Sequence, residues 1–315
     1  MNECSSATND VLRRKYRRMQ ALCAVLLVLL VGMVYVNYNY MVFKLLLGVN
    51  YAHGYTIDRL FEDSLGAHVF TASDDGRFRG HLRFFDYAVI SVFTEAIQEI
   101  DDDIYTFLYK PGEFQEIRQI VRTDAARAEI RQISEDTVLM YLPNISPDVR
   151  RFVMDNRDKL ASFDHLIFDL RGNYGGQLAD AYQIADLFLE RGEIIAREAG
   201  RLPPLNREVR ARGSRELEFE SIVILQNGRT ASASESLILA LAGNIDNVTL
   251  VGQPTFGKAI AQIVVPLRDG FQMNASVMTL SGPNHEHIHM IGIVPDIEFS
   301  GDAAGLLDFV LSLRD

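Results

Sequence analysis

Apolar residues run without interruption from residue 21 to 36, and their character extends through Asn37-Tyr38-Asn39-Tyr40. About 20 such residues match the hydrocarbon thickness of a bilayer. Arg13, Arg14, Lys15, Arg17 and Arg18 stand just before this run. Basic residues stay on the cytoplasmic side of a membrane, so the pattern predicts a cytoplasmic basic tail over 1–20 and a transmembrane signal anchor over 21–40. Everything after Tyr40 is then expected on the periplasmic or extracellular side. A cleaved secretory signal shares the basic start and the apolar stretch. The length of the run and the lack of a small-x-small site behind it favour the uncleaved anchor, with Tyr35, Tyr38 and Tyr40 at the outer interface.

Beyond the anchor the spacing changes. Residues 56–69 and 84–100 place apolar positions three and four apart, which predicts a small helical N-terminal subdomain over 41–115. The acidic run 99–103 marks a boundary, and Asp101, Asp102 and Asp103 read as a solvated turn. From 116 to 315 the pattern alternates. Strands are predicted at 128–133, 137–142, 166–170, 221–225 and 248–251, and helices at 177–189 and 232–242, which implies an α/β sheet with crossover helices. Residues 263–267 and 271–280, joined by Arg268-Asp269-Gly270, read as a hairpin. The polar, arginine-rich segment 193–215 with Pro203-Pro204 reads as a mobile loop.

Composition narrows the classes. A chain of 315 residues with 48% hydrophobic content has room for one or two domains with a sizeable core. The net charge is −11, although the tail 1–20 is basic, so the remainder is strongly acidic. Nucleic acid is excluded as an expected partner, because binding it needs a basic footprint that displaces counterions. Cys4 and Cys23 fall in the tail and the apolar run, leaving the exported part without a disulfide framework.

The candidate chemistry lies in Thr230-Ala231-Ser232-Ala233-Ser234-Glu235, then Thr255-Phe256-Gly257-Lys258, then Gln262. A serine hydroxyl needs a general base within hydrogen-bond reach to become nucleophilic at neutral pH. Lysine is such a base when neutral, and apolar burial disfavours its charged form. Lys258 sits among Phe256, Gly257, Ala259, Ile260 and Ala261, with no carboxylate nearby in sequence. Gln262 is placed to orient its amine, as the third member of a triad does. A bland reading covers the same residues: Ser232 with Glu235 three positions on is also a helix capping box.

Three blocks carry a resemblance. The stretch from Ser221 to Gln262 is similar to the catalytic core of the carboxyl-terminal processing peptidases, or tail-specific proteases. The strand Leu166-Ile167-Phe168 running into Asp169-Leu170-Arg171, within FDHLIFDLRGNYGG, resembles the family's strand ending in Asp-Leu-Arg-x-Asn-x-Gly-Gly. Gly292-Ile293-Val294-Pro295-Asp296 is close to the family's Gly-Val-x-Pro-Asp. The resemblance implies a crotonase-like (ClpP-like) serine peptidase core over 116–315, with Ser232 as nucleophile, Lys258 as general base and Gln262 as the lysine's partner. It implies an oxyanion hole from the backbone amide of Ala233 and from Gly175 or Gly176, with Asp169 and Arg171 pinning the strand end. No cofactor is implied.

Two departures accompany it. The interval from Ser232 to Lys258 is one residue longer than the family pattern, through Gly243 to Asn247. Asp103-Ile104-Tyr105-Thr106 is similar to the segment preceding the family's peptide-binding PDZ domain, but only about a dozen residues separate Glu113 from the next strand, too few for such a module. The chain is expected to be a PDZ-less member. It would take protein or peptide substrates as an added strand, and an adaptor protein could replace the missing module. The competing expectation is a catalytically inactive peptide- or lipid-binding protein on the same fold. His285, His287 and His289 would share one face of an extended strand and form a metal cluster; as a polar loop they would not, and no metal is expected.

Overall fold

The computed structural model describes residues 2–36, 38–50, 94, 97, 98 and 103–312, apart from 203, 205, 268, 269 and 302. The chain divides into two compact units, one of residues 1–48 and 55–108, the other of 49–54 and 109–315. The helical subdomain expected from residues 56–69 and 84–100 lies almost wholly outside the described residues.

In the first unit, helix α1 (Asn2–Val36) contains the span Leu12–Tyr35, the one helix among the described residues long and apolar enough to cross a membrane. Its apolar side chains are exposed, Val28 by 71%. Most of helix α2 (Tyr38–Asn50) follows, and later all but the last residue of the short strand β1 (Phe107–Tyr109). Asp103 departs from the expected solvated turn. It is buried, and its carboxylate accepts from Tyr105 N at 3.0 Å and Thr106 Oγ1 at 2.6 Å. A carboxylate that caps its own turn satisfies the backbone locally and needs no water.

The second unit opens with α3 (Glu113–Ala125), β2 (Glu129–Gln132), β3 (Thr137–Tyr141), α4 (Pro147–Asp155), α5 (Arg157–Leu160), β4 (His165–Asp169) and α6 (Leu178–Asp186). It continues with β5 (Ile194–Gly200), β6 (Arg207–Arg210), β7 (Ser221–Gln226), α7 (Ala233–Ala242) and β8 (Val248–Gly252). The last elements are β9 (Ile260–Pro266), β10 (Gln272–Ser281), β11 (Ile297–Glu298) and α8 (Ala303–Ser312).

One sheet has the order β11-β8-β7-β4-β3-β2. All its neighbours are parallel except β2, which pairs antiparallel with β3 at the edge. Parallel strands must be covered on both faces, which is why β3, β4 and β7 read as unbroken apolar runs. Alternation assigns the faces. Val138, Met140, Leu166, Phe168, Ile222 and Ile224 pack with α6 and α7, around a stack in which the Phe168 and Phe188 rings lie 6.2 Å apart. Leu139, Ile167, Val223 and Leu225 face the other way, onto Leu306 and Val310 of α8.

A second, antiparallel sheet holds β9, β10, β5 and β6. The expected hairpin is present, with Gln272 opposite Pro266. The expected mobile loop is not: β5 and β6 pair with each other, and β5 pairs with β10, Leu280 opposite Glu198. The arginines that make this segment look loop-like are partnered within the sheet, Arg207 and Arg197 binding Glu198 and Glu208. Glu198 is buried and also accepts from the Tyr182 hydroxyl at 3.0 Å.

Candidate active site

The carboxyl ends of β4 and β7 lie side by side, Asp169 opposite Leu225, and the turns that leave them build the site. This is where parallel α/β sheets place ligands, because successive turns diverge there. Arg171 grips Asp169 at the end of β4 with both Nε (2.8 Å) and Nη2 (2.6 Å), and this paired hydrogen bonding raises its pKa. The pair closes on itself, in keeping with a pinning role.

Side chains stitch the two turns together. Asn173, fully buried, donates from Nδ2 to Leu142 O at 2.8 Å, accepts from Gly175 N at 3.0 Å, and receives Ala231 N on its carbonyl at 2.9 Å. Thr230 Oγ1 donates to Leu170 O at 2.8 Å, and Asn227 Oδ1 accepts from Gly172 N at 3.1 Å. These bonds fix the chain immediately before Ser232.

Ser232 itself holds φ 59 and ψ −120 at the head of α7. L side chains rarely adopt this conformation, and a hydroxyl nucleophile on a strained strand-to-helix turn is a recurrent way of presenting Oγ to a substrate. Gly175 packs directly beneath. A Cβ built on it would lie 2.9 Å from Ser232 Cβ and 2.5 Å from Ala231 O, and its φ is +91. Gly176 packs instead on Ile145, whose carbonyl would sit 1.8 Å from an added Cβ. The Gly175 amide is engaged by Asn173, whereas nothing among the described residues accepts from the amides of Gly176 or Ala233.

The structure brings Lys258 and Gln262 together: Nζ donates to Oε1 at 2.6 Å. It also places a carboxylate beside the lysine loop, where the local sequence has none. Glu235 is fully buried. Its Oε2 accepts from Ser232 N at 2.7 Å and Lys258 N at 2.8 Å, and its Oε1 from Gly257 N at 2.7 Å and Thr255 Oγ1 at 2.5 Å. The capping box expected from Ser232 and Glu235 is present, with Glu235 accepting from the Ser232 amide, and the same carboxylate anchors a loop more than 20 residues downstream. Sequence reading missed this, and the spacing of serine and glutamate was its only signal.

The third block completes the anchor. Ile293 N donates to Thr255 Oγ1 at 2.7 Å, and Gln226 Nε2 donates to Ile293 O at 2.7 Å. Gly292, at φ +82, passes so close to Thr255 that a Cβ would lie 2.2 Å from its carbonyl oxygen. The histidines do not occupy a strand. Residues 282–292 form turns, with His285 at φ 61, and His285, His287 and His289 line a cavity of about 660 Å³ with Arg197 and Glu286. Among the described residues, no group of three or more His, Cys, Asp or Glu is arranged to hold a metal ion.

Comparison with known proteins agrees with this architecture. The chain is 38% identical over 139 residues to carboxyl-terminal-processing peptidase 1, chloroplastic, of Arabidopsis thaliana, covering 44% of this chain and 28% of that protein. It is 33% identical over 192 residues to the carboxyl-terminal-processing protease of Synechocystis sp., covering 59% of this chain and 44% of the relative. The chain thus matches less than half the length of these relatives. A lipoprotein structure from Streptococcus agalactiae superposes with a TM-score of 0.56 at 19% identity, over 78% of this chain and 88% of that one, which shows a shared fold. Peptidase family S41 matches residues 129–299, more than half of the chain and every block described above, and the chain belongs to that family.

Proposed function

We propose that this protein is a serine peptidase that hydrolyses peptide bonds of exported proteins through an acyl-enzyme. Ser232 attacks the scissile carbonyl, and Lys258, held by Gln262, takes its proton and returns it to the leaving amine. The observation that carries the reading is the shared oxygen of Glu235, which ties the strained Ser232 and the base-bearing Lys258 to one point. The tetrahedral oxyanion is stabilised by the Ala233 amide at the positive end of α7 and by the glycine turn. Of Gly175 and Gly176, the open amide favours Gly176 as the second donor.

The core over 116–315 is read as crotonase-like, following a subdomain over 41–115. The apolar helix over 21–40 is read as a signal anchor with the tail 1–20 cytoplasmic, which places the peptidase domain outside the cytoplasm. An adaptor protein then supplies substrate capture in place of a PDZ domain. A membrane pull-down that recovers no partner would count against that last step.

The test is cleavage of casein by the full chain, compared with Ser232→Ala and Lys258→Ala. Cleavage lost in both variants, with unfolding curves unchanged, supports the mechanism. A wild type that neither cleaves casein nor labels at Ser232 with a serine-reactive probe leaves the inactive binding-protein reading.

A further inference from the structure

The loop that carries Lys258 is rimmed by large apolar side chains standing in solvent. Phe256 is 50% exposed, Met290 66% and Ile291 61%. Their backbones converge on the proposed catalytic residues. Phe256 N donates to Thr230 O at 2.9 Å, two residues before Ser232, and Met290 N donates to Gly257 O at 2.8 Å, one residue before Lys258. The Ile291 amide lies 2.8 Å from where a Gly257 Cβ would be. Clustered exposed apolar side chains mark a contact site.

Met290 departs from expectation a second time. Its φ is 61, a region where glycine sits without strain and other residues rarely go. The position nevertheless holds a long, flexible thioether chain, the side chain best able to mould itself to apolar partners of different shape.

We infer that Phe256, Met290 and Ile291 form the subsite for an apolar side chain of the substrate residue next to the scissile bond, an inference that rests on the peptidase reading above. The occupant is an extended peptide rather than a second copy of the chain, because the patch is continuous with the Ser232 turn and the Lys258 loop. A polar side chain placed there would lose hydration without recovering a hydrogen bond.

The experiment compares wild type, Met290→Gly and Phe256→Ser in the full chain. The substrates are two peptides that differ only in leucine or serine at that residue, and Ser232 labelling by the matching leucyl and seryl phosphonates is measured alongside. Met290→Gly suits a left-handed backbone, so the fold is expected to hold. Wild type should prefer leucine by about tenfold or more, and each substitution should lower kcat/KM on the leucine peptide by about tenfold while sparing the serine peptide. Equal losses on both peptides, or none, overturn the subsite. So does a dimer that dissociates in Met290→Gly while the preference stays, which would assign the patch to a second copy. If neither peptide is cleaved and neither phosphonate reacts, the peptidase reading falls, and the subsite with it; if both phosphonates react alike, only the subsite falls.

Discussion

Ser232 and Lys258 donate their backbone amides to the same atom, Oε2 of Glu235, at 2.7 and 2.8 Å. The backbones of the proposed nucleophile and the proposed base are thereby tied to one buried carboxylate. Removing it should act on both at once. Glu235→Ala leaves four donors without their acceptor, at about 1–3 kcal/mol for each that stays buried, so stability should fall by on the order of 4 kcal/mol or more. Glu235→Gln keeps the shape but turns an NH₂ toward two donors. In that variant kcat/KM is expected to fall about 100-fold, the scale of a small misplacement, with a milder loss in urea unfolding. Near-normal kcat/KM in Glu235→Gln would show that the carboxylate only caps α7.

Strain at Ser232 makes a separate prediction. At φ 59 and ψ −120, glycine is relaxed and alanine is not. Ser232→Gly should be more stable than Ser232→Ala by about 1–3 kcal/mol, with activity abolished in both. Urea midpoints that coincide for the two variants would mean that the turn stores no strain.

The parts of the fold legible in advance were those dictated locally. β3, β4, β7 and β8 are short, largely apolar runs, and the part of α7 from Leu237 to Leu241 is apolar on every side because it is buried on every side. The β5–β6 hairpin was hidden because its stability comes from pairing with β10, about 80 residues on, and its arginines find partners only once that sheet forms. Helix α3 lacked a side-chain cap at Gly112, and most of its surface stays exposed. The apolar pair Leu306 and Val310 in α8 gained meaning only against Ile167 and Val223.

The site divides in the same way. Lys258 and Gln262 were legible because both belong to one short stretch of sequence around the start of β9, and they bond at 2.6 Å. The conformation of Ser232 was not, because Asn173 and Leu170, about 60 residues earlier, impose it through Ala231 and Thr230.

Gly175 offers a steric test with an internal control. Gly175→Ala would drive a Cβ to 2.5 Å from Ala231 O, whereas Gly192, at a similar φ of +97, has nothing within 4 Å. Gly192→Ala should cost about 1 kcal/mol in backbone strain and leave catalysis alone. Gly175→Ala should cost more than that in thermal unfolding and lower kcat about 100-fold by displacing Ser232. Equal effects from the two substitutions would remove Gly175 from the nucleophile's support.

Alkaline stability follows from Tyr182. Burial, then the charge of Glu198 and the hydrogen bond to it, raise its pKa far above the usual value near 10. Tyr109 and Tyr174 are also raised, chiefly by burial. Above pH about 10 the unfolded chain loses these protons and the folded chain retains them, so the unfolded state binds fewer protons and stability falls as pH rises. Below that pH the contribution is fully present and flat. Urea unfolding of wild type between pH 9 and 11, on the scale set by the ordinary tyrosine value of about 10, should therefore show a declining stability. In Tyr182→Phe the decline should be shallower by up to one proton per molecule, because a phenyl ring has nothing to release in either state. An identical slope in the two proteins would mean that Tyr182 ionises as readily folded as unfolded, and that the Glu198 contact does not persist in solution.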